Sequence, residues 1–186
     1  MGGAAQASRR HRRPSRCEEG VPTNPTALLS SDHLQAAIAG HLDDQAGSPL
    51  IGWARELGDL HATLLTGWLN PARRPADFDE MVLRSRISEV IGEIDSWTVF
   101  VLPRAAAGAR KHTHTLGEVI SHVAKTYAEA WWTVLHTSEE QPELRHEAWF
   151  HLGQVHEAYA DLVNDLYARR IELPLGWRGI TGTPRT

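Results

Sequence analysis

The sequence predicts an all-α protein, an antiparallel helical bundle of four long helices with a short N-terminal helix ahead of them. Three observations carry this expectation. Apolar residues recur at spacings of three and four through most of the chain, the breaks between these runs hold Pro, Gly and capping residues, and no convincing period-2 stretch marks a strand. Long helices joined by short connections favour antiparallel neighbours.

The elements follow in order. Ser30-Ser31 caps a short helix with Leu34, Ile38 and Leu42 at i, i+4 and i+8. Ser48 and Pro49 read as N-cap and first helical position of a helix to about Leu69. Its stripe is Leu50, Trp53, Leu57, Leu60, Leu64 and Trp68. Asn70-Pro71 ends it. A polar linker, Ala72-Arg73-Arg74-Pro75-Ala76, leads to Asp77 as the next cap. The run from there to Leu102 keeps Leu83, Ile87, Val90, Ile94, Trp97 and Val101 on one face, with Glu80 and Arg84 paired at its edge. Pro103 stops it. Beyond a loop holding Gly108, Thr115-Leu116-Gly117-Glu118 reads as a capping box. The fourth helix runs to about His136 with Leu116, Val119, Ile120, Val123, Tyr127, Ala130 and Val134 inward. Gln141-Pro142 opens the fifth, which carries Ala148, Trp149, Leu152, Val155, Tyr159, Val163 and Leu166 and is closed by Pro174.

At 186 residues the chain supports one core and one domain. Residues 26–173 form the expected bundle, and 174–186 a flexible Gly/Pro-rich tail. Residues 1–25 read as a disordered basic tail. Its first twenty positions hold five arginines against two glutamates and no large aliphatic or aromatic side chain, so burial cannot offset ordering entropy. Translation starting near Val21 is the alternative account of that tail. Ser8-Arg9-Arg10 resembles a twin-arginine signal, but Pro14 to Glu19 stands where an apolar stretch is required. The net charge of −4 argues against nucleic acid as a partner, and no apolar run approaches the ~18 residues of a membrane span. Cys17 is the single cysteine, which excludes an internal disulfide framework. A cytoplasmic protein is expected.

Several segments together resemble a bacterial family. Leu60-His61, Trp68, the Ala72-Arg73 linker, Asp77 and Ile94-Asp95-Ser96-Trp97 fall in its order, as does His112-Thr113-His114-Thr115-Leu116-Gly117-Glu118-Val119-Ile120 leading to Tyr127. The chain is similar in these to domain of unknown function family 4254, over roughly residues 30–172. Where that pattern has acidic residues after the first tryptophan, this chain has Trp68-Leu69-Asn70-Pro71, so a role for such acids could not apply. The resemblance implies a helical fold and no particular chemistry.

Eleven histidines invite a metal reading, which helix geometry tests. At about 100° per residue, His146, His151 and His156 point in three directions. Glu118 and His122 share a face with Lys125 and Glu129, the composition of a solvated surface. A di-iron bundle needs two Glu-x-x-His pairs, and only Glu143 to His146 has that spacing. No metal and no cofactor are expected. Gly-x-Ser-x-Gly, Gly-x-Gly-x-x-Gly and Walker patterns are all missing from the sequence.

Two features survive. His61 and His156 lie about 40° from the centres of their stripes, Tyr159 near the centre of its own, and Asp95 about 100° off the third helix's stripe. They read either as buried polar groups satisfied locally or as a ligand-binding pocket between helices. The fourth helix also has a second apolar side, with Ala124, Ala128, Trp131, Trp132 and Leu135 facing away from the main stripe. Either the chain's own N-terminal helix or C-terminal tail with Trp177 covers it, or Trp131, Trp132 and Leu135 form an interface with a protein partner or a second copy. The expected role is binding or protein interaction. The alternative is a small-molecule enzyme built on His61, Asp95, His156 and Tyr159.

Overall fold

A computed structural model describes residues 27–42, 47–138 and 140–174. The basic N-terminal tail, Cys17 and the C-terminal tail with Trp177 lie outside the described residues. The fold is all-α. Its helices are α1 (Ser31–Ile38), α2 (Pro49–Leu69), α3 (Glu80–Val101), α4 (Leu116–His136) and α5 (Pro142–Tyr167).

The caps explain where these helices begin. Ser30 accepts from the backbone N–H of His33 at the start of α1. At α4 the capping box forms in full: Glu118 N–H donates to Thr115 Oγ1 at 3.1 Å, and Thr115 N–H donates to Glu118 Oε2 at 2.7 Å. Ser48 precedes α2 without a side-chain cap bond, so Pro49 alone marks that start.

One cap differs from expectation. Asp79, not Asp77, caps α3, its Oδ1 accepting from Met81 N–H at 2.8 Å and Val82 N–H at 3.2 Å. The cause is Phe78. A Cβ on Gly67 would collide with its ring, so Gly67 on α2 leaves the seat into which Phe78 packs. Phe78 N–H closes a turn onto Pro75 O, which holds Asp77 outside the helix. Arg74 clamps the same junction, donating twice to Gly67 O and lying 4.9 Å over the Phe78 ring.

The helix α4 is the centre of the packing and touches the other four. Around it α3 meets α2, α2 meets α1, and α1 meets α5, whereas α3 and α5 make no contact among the described residues. The short helix α1 is part of the core. Leu34, Ala37 and Ile38 are buried, and Gly58 on α2 lets the backbone of Ile38 approach where a Cβ would lie 2.8 Å from its carbonyl oxygen. Leu50, Leu57, Val90, Ile94, Leu116, Ile120 and Tyr159 are also fully buried.

Two tryptophans expected on inward stripes are half-exposed, Trp68 at 46% and Trp149 at 43%. At the end of α2 Gly67 packs against Phe78 of the connection to α3, and Trp68 turns its indole N–H to Glu80 Oε2 at 3.0 Å. A parallel pairing of β1 (Arg110–Lys111) with β2 (Ile171–Glu172), not expected from the sequence, ties the α3–α4 loop to the end of α5. Two residues are too few to show alternation.

Candidate functional site

The four polar residues singled out in sequence sit on three different helix junctions. His61, half-buried on α2, faces α4, where its Nε2 and Ser121 Oγ are hydrogen-bonded at 2.9 Å. Burial, and then the charges of Lys125, Arg84 and His122, lower its pKa to about 4, so the ring is neutral at pH 7. Asp95 on α3 turns to the N-terminus of α4, Oδ1 accepting from Gly117 N–H at 2.8 Å. Burial raises its pKa, while the bonds from Gly117 and Thr115 oppose that rise.

His156 and Tyr159 on α5 face the N-terminal segment. His156 Nε2 lies 3.3 Å from Asp32 Oδ1, close enough for an ion pair but not aligned as a hydrogen bond. Tyr159 is buried and donates its hydroxyl to Leu29 O at 3.1 Å, and burial raises its pKa. Nearby, Tyr167 Oη accepts from Leu28 N–H at 2.7 Å. The two tyrosines fasten residues 28–29 onto α5.

The four therefore do not gather into one pocket. His61 is engaged by Ser121, Asp95 by Gly117 and Tyr159 by Leu29, while His156 rests against Asp32. Ser121 escaped the sequence reading. Its signal is the run Gly117, Ser121, Ala124 and Ala128, small residues at helical spacing where α4 admits its neighbours closely.

The residues expected at an interface do come together. Tyr127, Trp131, Trp132, Leu135 and His136 of α4 line an open groove of about 450 Å³, closed on its other sides by α2 and the end of α1. Tyr127 and Trp131 are stacked, their rings 4° from parallel and 6.4 Å apart. Trp132 stacks on His136 at 3.7 Å. Trp131 is 46% exposed and Leu135 61%. A second groove shares Tyr127 and Trp131 and is bounded by Trp149 and Asp32, so the Tyr127–Trp131 stack forms a ridge between two grooves. Ala124 and Ala128 are buried within the chain, so only the C-terminal part of α4's second apolar side remains open.

A smaller groove of about 280 Å³ lies at the corner of α2, α3 and α4 and holds His61, Trp68, Arg84 and Lys125. Among the described residues, no three His, Cys, Asp or Glu side chains are placed to hold a metal ion, and no helix is long and apolar enough to cross a membrane. No protein-family model, no curated protein and no solved structure matches this chain.

Proposed function

We propose that this chain works by binding a protein partner, and that the partner is a second copy of itself seated on the aromatic ridge of α4. The observation that supports the reading is the half-exposed Tyr127–Trp131 stack, flanked by Trp132 and Leu135 and opening into grooves on both sides. Exposed, contiguous aromatic surface of this kind is what interfaces use, and one indole can bury ~200 Å².

The groove's rim supports a symmetric arrangement. Asp59 and Arg73 both edge the groove, and neither forms an ion pair among the described residues. A two-fold interface sets each patch against its own copy, so an ion pair between Asp59 and the partner's Arg73 would be made twice. The reading as an enzyme with His61, Asp95, His156 and Tyr159 has no comparable support, since those residues serve separate junctions.

The same proposal places the protein in the cytoplasm, in keeping with a single cysteine. It keeps the chain with domain of unknown function family 4254.

Trp131→Glu tests the interface, because it sets a charge in a desolvated contact without touching a fully buried residue. The variant should keep the wild-type circular dichroism spectrum and scatter light as a monomer. A variant that still dimerises places the contact elsewhere, and one that unfolds places Trp131 under cover of its own chain.

A further inference from the structure

The corner of α2, α3 and α4 assembles a set of groups that the self-association reading does not use. Its apolar lining comes from Leu64, Leu65, Ile87 and Ala128. Two cations edge it, one from each of two helices. Arg84 is engaged only through Nε, by Glu80 Oε1 at 2.8 Å, which leaves both terminal amino groups without a hydrogen-bond partner among the described residues. Lys125 Nζ is 3.7 Å from Glu129 Oε1, beyond hydrogen-bond range, and keeps its donors. His61 stands one turn from Lys125, because its partner Ser121 precedes Lys125 by four residues on α4.

Arg84 and His61 are held in position. Arg84 lies 5.1 Å over the Trp68 ring, and Trp68 is anchored by its bond to Glu80, so the guanidinium is set in place rather than free. His61 is held by Ser121, and its Nδ1 has no partner among the described residues. The acidic neighbours are Glu129 and Glu80, and Glu80 is already bonded to both Arg84 and Trp68. The charges that most affect His61 are nonetheless positive: Lys125, Arg84 and His122 all disfavour its protonation.

We infer that this groove is a binding site for a small organic acid, its carboxylate held between Arg84 and Lys125 and its apolar body laid against Leu64, Leu65 and Ile87. A planar carboxylate suits the paired terminal amino groups of an arginine, and neutral His61, in the tautomer whose Nε2 accepts from Ser121, presents Nδ1–H as a donor without a charge of its own. The volume, about 280 Å³, falls just below the range typical of drug-sized ligands and so selects a smaller molecule.

The test uses the full chain, labelled at histidine and tryptophan, and follows the His61 ring and Trp68 indole resonances by NMR. The probes are the straight-chain carboxylates from butanoate to decanoate, with benzoate and phenylacetate, each beside its uncharged amide, and inorganic phosphate. At least one acid should move both signals saturably below about 10 mM and raise the pH at which His61 titrates, while its amide does neither. Lys125→Gln, a change at a half-exposed side chain, should weaken that acid about tenfold, the value of one charge-assisted hydrogen bond. The inference is overturned if no acid moves the two signals, if acids and amides act alike, or if Lys125→Gln and Arg84→Gln leave binding unchanged. Phosphate binding as well as the best acid would overturn the assignment to carboxylates.

Discussion

Gly117→Ala should destabilise the protein, against the usual sign of that substitution in a helix. Alanine is better than glycine by about 0.8–1 kcal/mol in a helix interior, an upper bound for Gly117 in the first turn of α4. At residue 117, however, a Cβ would stand 2.5 Å from Ile91 O, 3.0 Å from Ile91 Cα and 2.9 Å from Asp95 Oδ1. Two of these atoms are backbone and cannot rotate away, so α3 and α4 must separate. Overpacking of this kind costs about 1–3 kcal/mol. Displacing Asp95 from the Gly117 N–H adds about 1.5–3 kcal/mol for a charged hydrogen bond. The net loss is then about 2–5 kcal/mol, a fall in Tm of roughly 5–15 °C for a chain of this size. Gly92→Ala on α3 is the control, since nothing lies within 4 Å of a Cβ there, and it should raise stability. Urea and thermal unfolding followed by circular dichroism at 222 nm would read both. If Gly117→Ala stabilises as Gly92→Ala does, the close approach of α3 to α4 and the role given to Asp95 are both wrong.

Two further outcomes are expected. Asp79→Ala should cost about 1 kcal/mol in chemical denaturation and Asp77→Ala almost nothing, because only Asp79 caps α3; equal effects would contradict the assigned helix start. His61 titrates near pH 4 in the folded chain and near its ordinary value when unfolded, so between these the unfolded state binds the extra proton and stability rises with pH. This contribution is complete above about pH 6.5 and is lost as pH falls toward 4, on the order of 3 kcal/mol. Lys125, Arg84, His122 and Glu129 lie about the ring in wild type and variant alike, so the difference between wild type and His61→Gln isolates it. A His61→Gln stability profile parallel to the wild type between pH 4 and 6.5 would remove the claim that His61 is held neutral.

Elements set by local chemistry were legible in the chain. The Thr115–Glu118 capping box, the Pro49 start and the ends near Leu69 and His136 all rest on interactions within a few residues, which sequence displays directly. The α3 start was misplaced by two residues because Phe78 docks on Gly67, eleven positions earlier, and no local signal distinguishes Asp77 from Asp79 as the cap. The importance of α1 was hidden for a similar reason: an eight-residue helix carries little pattern, and its burial comes from α2, α4 and α5. Angular arithmetic placed His61, His156 and Tyr159 on inward faces and Asp95 on the flank of one, but could not say which helix each would meet. It did bring Trp131, Trp132 and Leu135 to one side of α4, since a single helix fixes their relative directions without reference to its neighbours.

Sedimentation equilibrium of the untagged wild-type chain reads self-association through that side of α4. The mass should rise with concentration from the 20.7 kDa protomer toward about twice that value across the micromolar range. A mass that stays at 20.7 kDa throughout, with tryptophan fluorescence open to aqueous quenchers, would contradict it.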